Sequence, residues 1–228
     1  MKNTATFRRV SASVALLATA LLSLVSQLLA PTFPSGGAAA RLDVVQQGGT
    51  AAALSAGLFV AAQLPFIVAA LGIGHLLRER APLLSNLGTT LAVIGGFGHA
   101  VIGGVSMLEV AMASDSAHRQ VLADAVTRFE ASPGMLFAAL GMLGTVLGLV
   151  LLAVGLWRAD VSPRWVAPAI GAFLVIEFVA SGFSAWASDV SAVIYVVALG
   201  ALAAVMWQTG DERWALPAPH EVREPVEV

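Results

Sequence analysis

The sequence predicts an all-α fold: a polytopic membrane helix bundle of six transmembrane helices with one short extracytoplasmic amphipathic helix. Three observations predict it. Hydrophobic residues make up 58% of the 228 and charged residues 11%, with a mean hydropathy of +0.85. Soluble domains carry roughly 25% charge, so hydrocarbon is the expected solvent for most of this chain. The apolar residues gather into six runs, at about 10–30, 50–77, 86–112, 134–157, 165–186 and 190–207, and a helix rising ~1.5 Å per residue crosses ~30 Å of hydrocarbon in about 20 residues. The charges lie between the runs, unevenly. Lys2, Arg8, Arg9, Arg78, Arg80, Arg158, Arg164, Arg213 and Arg223 fall on one side of such a bundle, and only Arg41, Arg119 and Arg128 on the other. Basic residues stay in the cytoplasm, which places both termini there and makes the span count even. Residues 1–207 then form one transmembrane domain and 208–228 a flexible cytoplasmic tail. The expected setting is a bacterial inner membrane, with the lipid bilayer as the principal partner.

The first run has basic residues ahead of it, as a secretory signal peptide does. Its 21 residues exceed the ~7–15 of a signal core, so a retained anchor is expected; Ala38-Ala39-Ala40 leaves open cleavage before Arg41. The loop 31–49 holds two prolines and four glycines and is expected to be irregular or helical only near its end. Between the third and fourth runs, Val121, Leu122, Ala125, Val126 and Phe129 recur at helical spacing opposite Gln120, Asp124 and Arg128. That pattern predicts the amphipathic helix, capped by Asp115 or Ser116 and closed by Pro133. It would serve as a lid over an external opening or as a connector lying in the interface. Trp157, Trp165, Trp186 and Trp207 sit at predicted span ends, where an indole prefers the headgroup layer. The tail from Gln208 contains three prolines and seven charges, a composition that does not favour a packed core.

At the connection between the fourth and fifth runs, Leu156-Trp157-Arg158 followed by Pro163-Arg164-Trp165 resembles the cytoplasmic turn of bacterial multi-pass membrane families that share a Pro-Arg-Trp step entering a late helix. The resemblance covers about ten residues plus the general hydropathy. It implies a six-helix bacterial membrane protein and assigns no functional residues.

The fourth run places Gly134, Gly141, Gly148 and Gly155 seven apart, with Gly144 on a nearby face. Such a row is a groove into which a neighbouring helix can come close, and close approach matters in lipid because apolar burial no longer drives association. Packing within the chain is one use; a homo-oligomer or another membrane subunit is the other. The third run adds Gly95, Gly96, Gly98, Gly103 and Gly104 around a single histidine.

Ionisable groups inside a span cost about 2.5–3.5 kcal/mol on insertion scales, so each needs a named partner. His99 lies 13 residues above Asn86, Glu177 lies 12 above Trp165, and Gln63 descends 13 from Thr50; at ~1.5 Å per residue all three reach one layer near mid-depth. A neighbouring imidazole could take the glutamic acid proton and leave a charge-assisted pair. Ser181, Ser184 and Ser188 follow Glu177 at plus four, seven and eleven, and Ser106 and Glu109 lie beyond His99. The serines lie within ~40° of one helix face, and these residues could line a half-channel open to the outside. One reading is therefore a transporter-like or proton-responsive site at His99, Glu177 and Gln63; the other is a set of polar cross-links between helices. A third possibility is a non-catalytic scaffold or assembly subunit using the glycine groove.

Other chemistry finds little footing. There is no cysteine, which removes disulfides, thiolate metal sites and thiol nucleophiles. His75 and His99 lie at different depths and His118 and His220 lie outside the runs, so neither a haem pair nor a histidine metal site is expected. No aspartate falls within a run, and Gly-x-Ser-x-Gly is absent, which counts against an intramembrane protease. His75 with Arg78-Glu79-Arg80 could meet lipid phosphate, although short basic turns mainly report orientation. No cofactor motif is found, a non-enzymatic role is favoured, and a net charge of −2 without a basic run sets nucleic acid aside.

Overall fold

The computed structural model describes residues 2–33 and 36–215, and among them no strand occurs. The helices are α1 (Lys2–Leu29), α2 (Gly37–Leu77), α3 (Pro82–Ala113), α4 (Arg119–Glu130), α5 (Leu136–Ala159), α6 (Val166–Phe178) and α7 (Ala185–Gln208), with 3-10 turns at Pro133–Met135, Ala180–Gly182 and Asp211–Trp214. Five stretches, Thr4–Leu29, Gly37–Leu77, Pro82–Ala113, Pro133–Ala159 and Trp186–Gln208, are long and apolar enough to cross a membrane. The exterior agrees with that solvent. Leu17, Leu21 and Leu28 on α1, Leu64 and Leu71 on α2, and Leu143 and Leu147 on α5 all face outward, an extent of exposed apolar side chains that water would penalise and lipid would not.

Three elements differ from expectation. The fifth predicted run, 165–186, is not one long helix: α6 stops at Phe178 after 13 residues, about 20 Å at helical rise, and the chain turns through 179–184 before α7 starts at Ala185. The hydropathy continues where the helix does not, because Val179, Phe183 and Trp186 sit exposed around the turn. At α2, the predicted start at Thr50 falls on a kink at Gly49, whose φ of 51° and ψ of −124° suit a residue without a side chain. Residues 37–48, expected to be largely irregular, continue the helix on the far side of that kink. There Ala38, Leu42 and Val45 pack with Ala113 of α3 and with Ala123 and Val126 of α4.

The third difference concerns α4, which occupies the expected segment but ends at Glu130, with Pro133 opening the 3-10 turn instead of closing the helix. Its N-cap is His118, without a side-chain cap. Asp115 turns to that residue, accepting its backbone N–H at 3.2 Å and its Nδ1 at 2.8 Å. The contact with His118 holds the Asp115 carboxyl below its usual pKa.

The tightest packing joins α3 to α5. A Cβ on Gly144 would lie 2.6 Å from the Gly95 nitrogen, and one on Gly148 would lie 2.5 Å from the Ala92 nitrogen, so backbone meets backbone with no room for a methyl. Gly141 faces His99, and Gly155 faces Leu77 of α2. The glycine groove is thus filled within the chain, except that Gly134 lies in the 3-10 turn beside Phe129.

Helix α1 is a working member of the bundle. Leu16 is fully buried, and Ser26 and Ser55 clamp α1 to α2 by donating to each other's carbonyls at 2.9 and 2.8 Å. The first turns of α1 meet the 3-10 turn Asp211–Trp214 on one face. Arg9 pairs with Asp211 at 3.0 Å, Thr6 Oγ1 donates to the same carboxylate at 2.7 Å, and the buried Trp214 stacks on His75 at 4.8 Å. The beginning of the expected flexible tail is therefore docked through Ala215; the remainder, 216–228, lies outside the described residues. On the same face, Arg80 Nη1 donates at 2.8 Å to the Ala159 carbonyl that ends α5, where a cation complements the exposed carbonyls.

Placing a methyl at the α3–α5 contact should show how closely it is packed. Gly144→Ala is expected to destabilise the detergent-solubilised protein by about 1–3 kcal/mol. Gly200→Ala, where a Cβ meets nothing within 4 Å, should leave the thermal midpoint unchanged or raise it; scanning fluorimetry distinguishes them.

Candidate functional site

Six helices surround a cavity of about 210 Å³. Helix α1 brings Thr19, Ser23, Ser26 and Gln27; α2 brings Phe59, Gln63 and Phe66; α3 brings His99; α5 brings Thr145. The short α6 and the start of α7 complete the wall with Phe173, Glu177, Phe178, Ser191 and Tyr195. His99, Glu177 and Gln63, far apart in sequence, therefore line one space.

The local sequence explains how each arrives there. His99 follows Gly98, which lies against the backbone of Phe137 and Gly141, and a Cβ on Gly141 would sit 2.7 Å from His99 Cδ2. The absence of that atom leaves room for the imidazole to pass α5. Its Nδ1 lies 3.4 Å from Thr145 Oγ1, and its ring is tilted 60° to Phe59 at 5.7 Å. Gln63 is buried on α2, with Nε2 donating to the Phe59 carbonyl one turn earlier at 2.9 Å. Glu177 occupies the last turn of α6, where its Oε2 is hydrogen-bonded to Ser191 Oγ of α7 and its carbonyl accepts from Ser181 Oγ.

Among the described residues no bond joins His99 to Glu177. In place of the expected imidazole–carboxylate pair, each is held by a neighbouring hydroxyl. Ser191 is the more informative of these. Its Oγ lies 2.8 Å from the Ser188 carbonyl as well as beside Glu177, and a hydroxyl has one proton to donate. When that proton points at Glu177, the carboxylate is accommodated. When it points at Ser188, Ser191 can accept from a protonated Glu177. The same contacts thus suit both protonation states. Thr19 also lines the cavity, its Oγ1 buried and without a hydrogen-bond partner among the described residues.

The outward polar stripe does not form as expected. Because α6 ends at Phe178, Ser181 lies in the 3-10 turn, Ser184 precedes α7, and Ser188 belongs to α7, so the serines do not share a helix face with Glu177. Ser106 Oγ bonds its own helix at Ile102 O, 3.3 Å. Glu109 belongs to a different cluster, paired with Arg41 at 3.0 Å, which also holds Glu130 of α4 at 2.7 Å. Arg119 of α4 reaches Asp43 at 3.0 Å, so two arginines fasten α4 to residues 41–43 of α2. No residue of α4 lines the cavity.

Sequence reading missed Thr19, Thr145, Ser191 and Tyr195. A signal existed for α1, since Thr19, Ser23 and Ser26 recur at plus four and plus seven and so share a face. Among the described residues no group of three or more His, Asp or Glu comes together to hold a metal ion. Comparison with family models, with curated proteins and with solved structures gives no match.

The ion pairs around Arg41 make a graded prediction. Arg41→Ala leaves Glu109, whose side chain is 13% exposed, without its cation, and should cost about 1–3 kcal/mol of stability. Glu130→Gln, at a carboxylate 40% exposed, should cost under ~1 kcal/mol. Denaturant titration of the two variants checks the order.

Proposed function

We propose that this chain is a small transporter-like or proton-responsive membrane protein whose working site is the cavity at His99, Glu177 and Gln63. The observation that supports this reading is convergence: an acid, an imidazole and an amide from α6, α3 and α2 line one cavity. Cross-links between helices need bonds but no cavity. Here the carboxyl is bonded by a hydroxyl that can serve its charged or its neutral form, as a group that takes up and releases a proton requires. The alternative scaffold role has less support, because Gly141, Gly144 and Gly148 already lie against α3.

In this proposal the protein sits in a bacterial plasma membrane with both ends cytoplasmic, in line with nine basic residues against three and with Arg9 meeting Asp211 at 3.0 Å on one face. Helix α6 and the turn through Gly182 complete a sixth traverse, and α4 lies along the outer interface, held by Arg41 and Arg119.

Proteoliposomes loaded with a pH-sensitive dye test the site. The wild-type chain should move protons under an imposed gradient, and Glu177→Gln should reduce that movement at least ~tenfold while the protein elutes and melts normally. Absence of Glu177-dependent flux under any gradient, or a Glu177→Gln variant altered only in yield and melting temperature, would favour the cross-link account.

A further inference from the structure

We propose that the ligand of this cavity is a compact organic ammonium ion, which competes with a proton for the Glu177 carboxylate. The inference rests on the cavity reading above and adds the chemistry of what enters. Three observations carry it. The first is charge: among the described residues Glu177 is the only acid in the wall, and no lysine or arginine lines it. An anion would meet no permanent positive charge, and a neutral solute would have no use for an ionised carboxylate. The second is the composition of the rest of the wall. Phe59, Phe66, Phe173, Phe178 and Tyr195 line the same space, with Phe173 and Tyr195 stacked at 4.3 Å, and aromatic faces attract ammonium groups through their quadrupoles. The third is the end of α6. Glu177 lies in the last turn of a 13-residue helix, whose terminal carbonyls add partial negative charge beside the carboxylate.

Size narrows the class. A cavity of about 210 Å³ lies below the ~300–1,000 Å³ of drug-sized pockets and suits an ammonium ion of a few heavy atoms. The exchange balances simply: the O–H bond of protonated Glu177 breaks, water carries the proton away, and the cation pairs with the carboxylate left behind. Among the described residues the other titratable groups facing it are His99 from α3 and Tyr195 from α7; the polar side chains that α1, α2 and α5 contribute are hydroxyls and amides. Protonation of His99 would repel the same cation, so both groups weaken binding as pH falls.

Choline and its uncharged isostere 3,3-dimethylbutan-1-ol provide the test, by calorimetry on the full chain in lipid nanodiscs. Choline should bind saturably at pH 8, at least ~tenfold tighter than the isostere, and its affinity should fall on acidification. Glu177→Gln should remove tenfold or more of the choline affinity, and Phe173→Leu several-fold. No saturable choline binding, or equal binding of the isostere to the wild-type chain, overturns the proposal without requiring any variant to fold. Glu177-dependent proton flux with no choline binding would discard the cation alone. Loss of that flux as well would discard the proton reading with it.

Discussion

The contact on which this structure depends is the side-chain-free crossing of α3 and α5. With glycine at 95, 98, 141, 144 and 148, the two backbones touch, and dispersion at that distance replaces the apolar driving force that lipid does not supply. The crossing also fixes a position for chemistry. His99 is the residue next to Gly98, and Thr145 is next to Gly144, so the imidazole and its hydroxyl partner are set at the edge of the contact. A register shift of one residue in α3 would rotate His99 by about 100° and take it off the cavity wall.

What the sequence made legible was which polar residues to bring together, since His99, Glu177 and Gln63 line one cavity. Counting residues from span ends put His99, Glu177 and Gln63 in one layer, and their common cavity is consistent with that count. Rotation was less accessible, because it depends on which face of each helix meets which neighbour. Glu109 shows the difference: it continues the polarity of α3 beyond His99 in sequence, yet Arg41 draws it into an ion pair with the α2 segment before Gly49. The end of α6 was not legible at all. Val179, Ala180, Phe183 and Trp186 maintain hydropathy through a turn, and Gly182 alone does not distinguish a break from a helix interior.

That break and the cavity belong together. Irregular backbone in an apolar setting needs partners for its polar groups, and two serines supply partners for Glu177 at this turn. Ser181 bonds the Glu177 carbonyl, and Ser191 bonds the carboxyl. On α1, the reciprocal Ser26–Ser55 bonds hold the opposite wall. The carboxyl is thereby kept where helix α6 ends, between aromatic side chains, instead of being neutralised by a nearby arginine. Four arginines of the described residues have partners away from the cavity: Arg41 and Arg119 fasten α4, Arg9 meets Asp211, and Arg80 caps α5.

The central claim is that water reaches this space between the helices, and the chain's lack of cysteine makes that directly measurable. Gln63 and Leu64 are neighbours on α2, the first turned to the cavity and the second 71% exposed on the apolar exterior. In membranes, Gln63→Cys should react with a water-soluble, charged methanethiosulfonate reagent while Leu64→Cys does not. An unreactive Gln63→Cys beside a reactive Leu64→Cys would contradict the account.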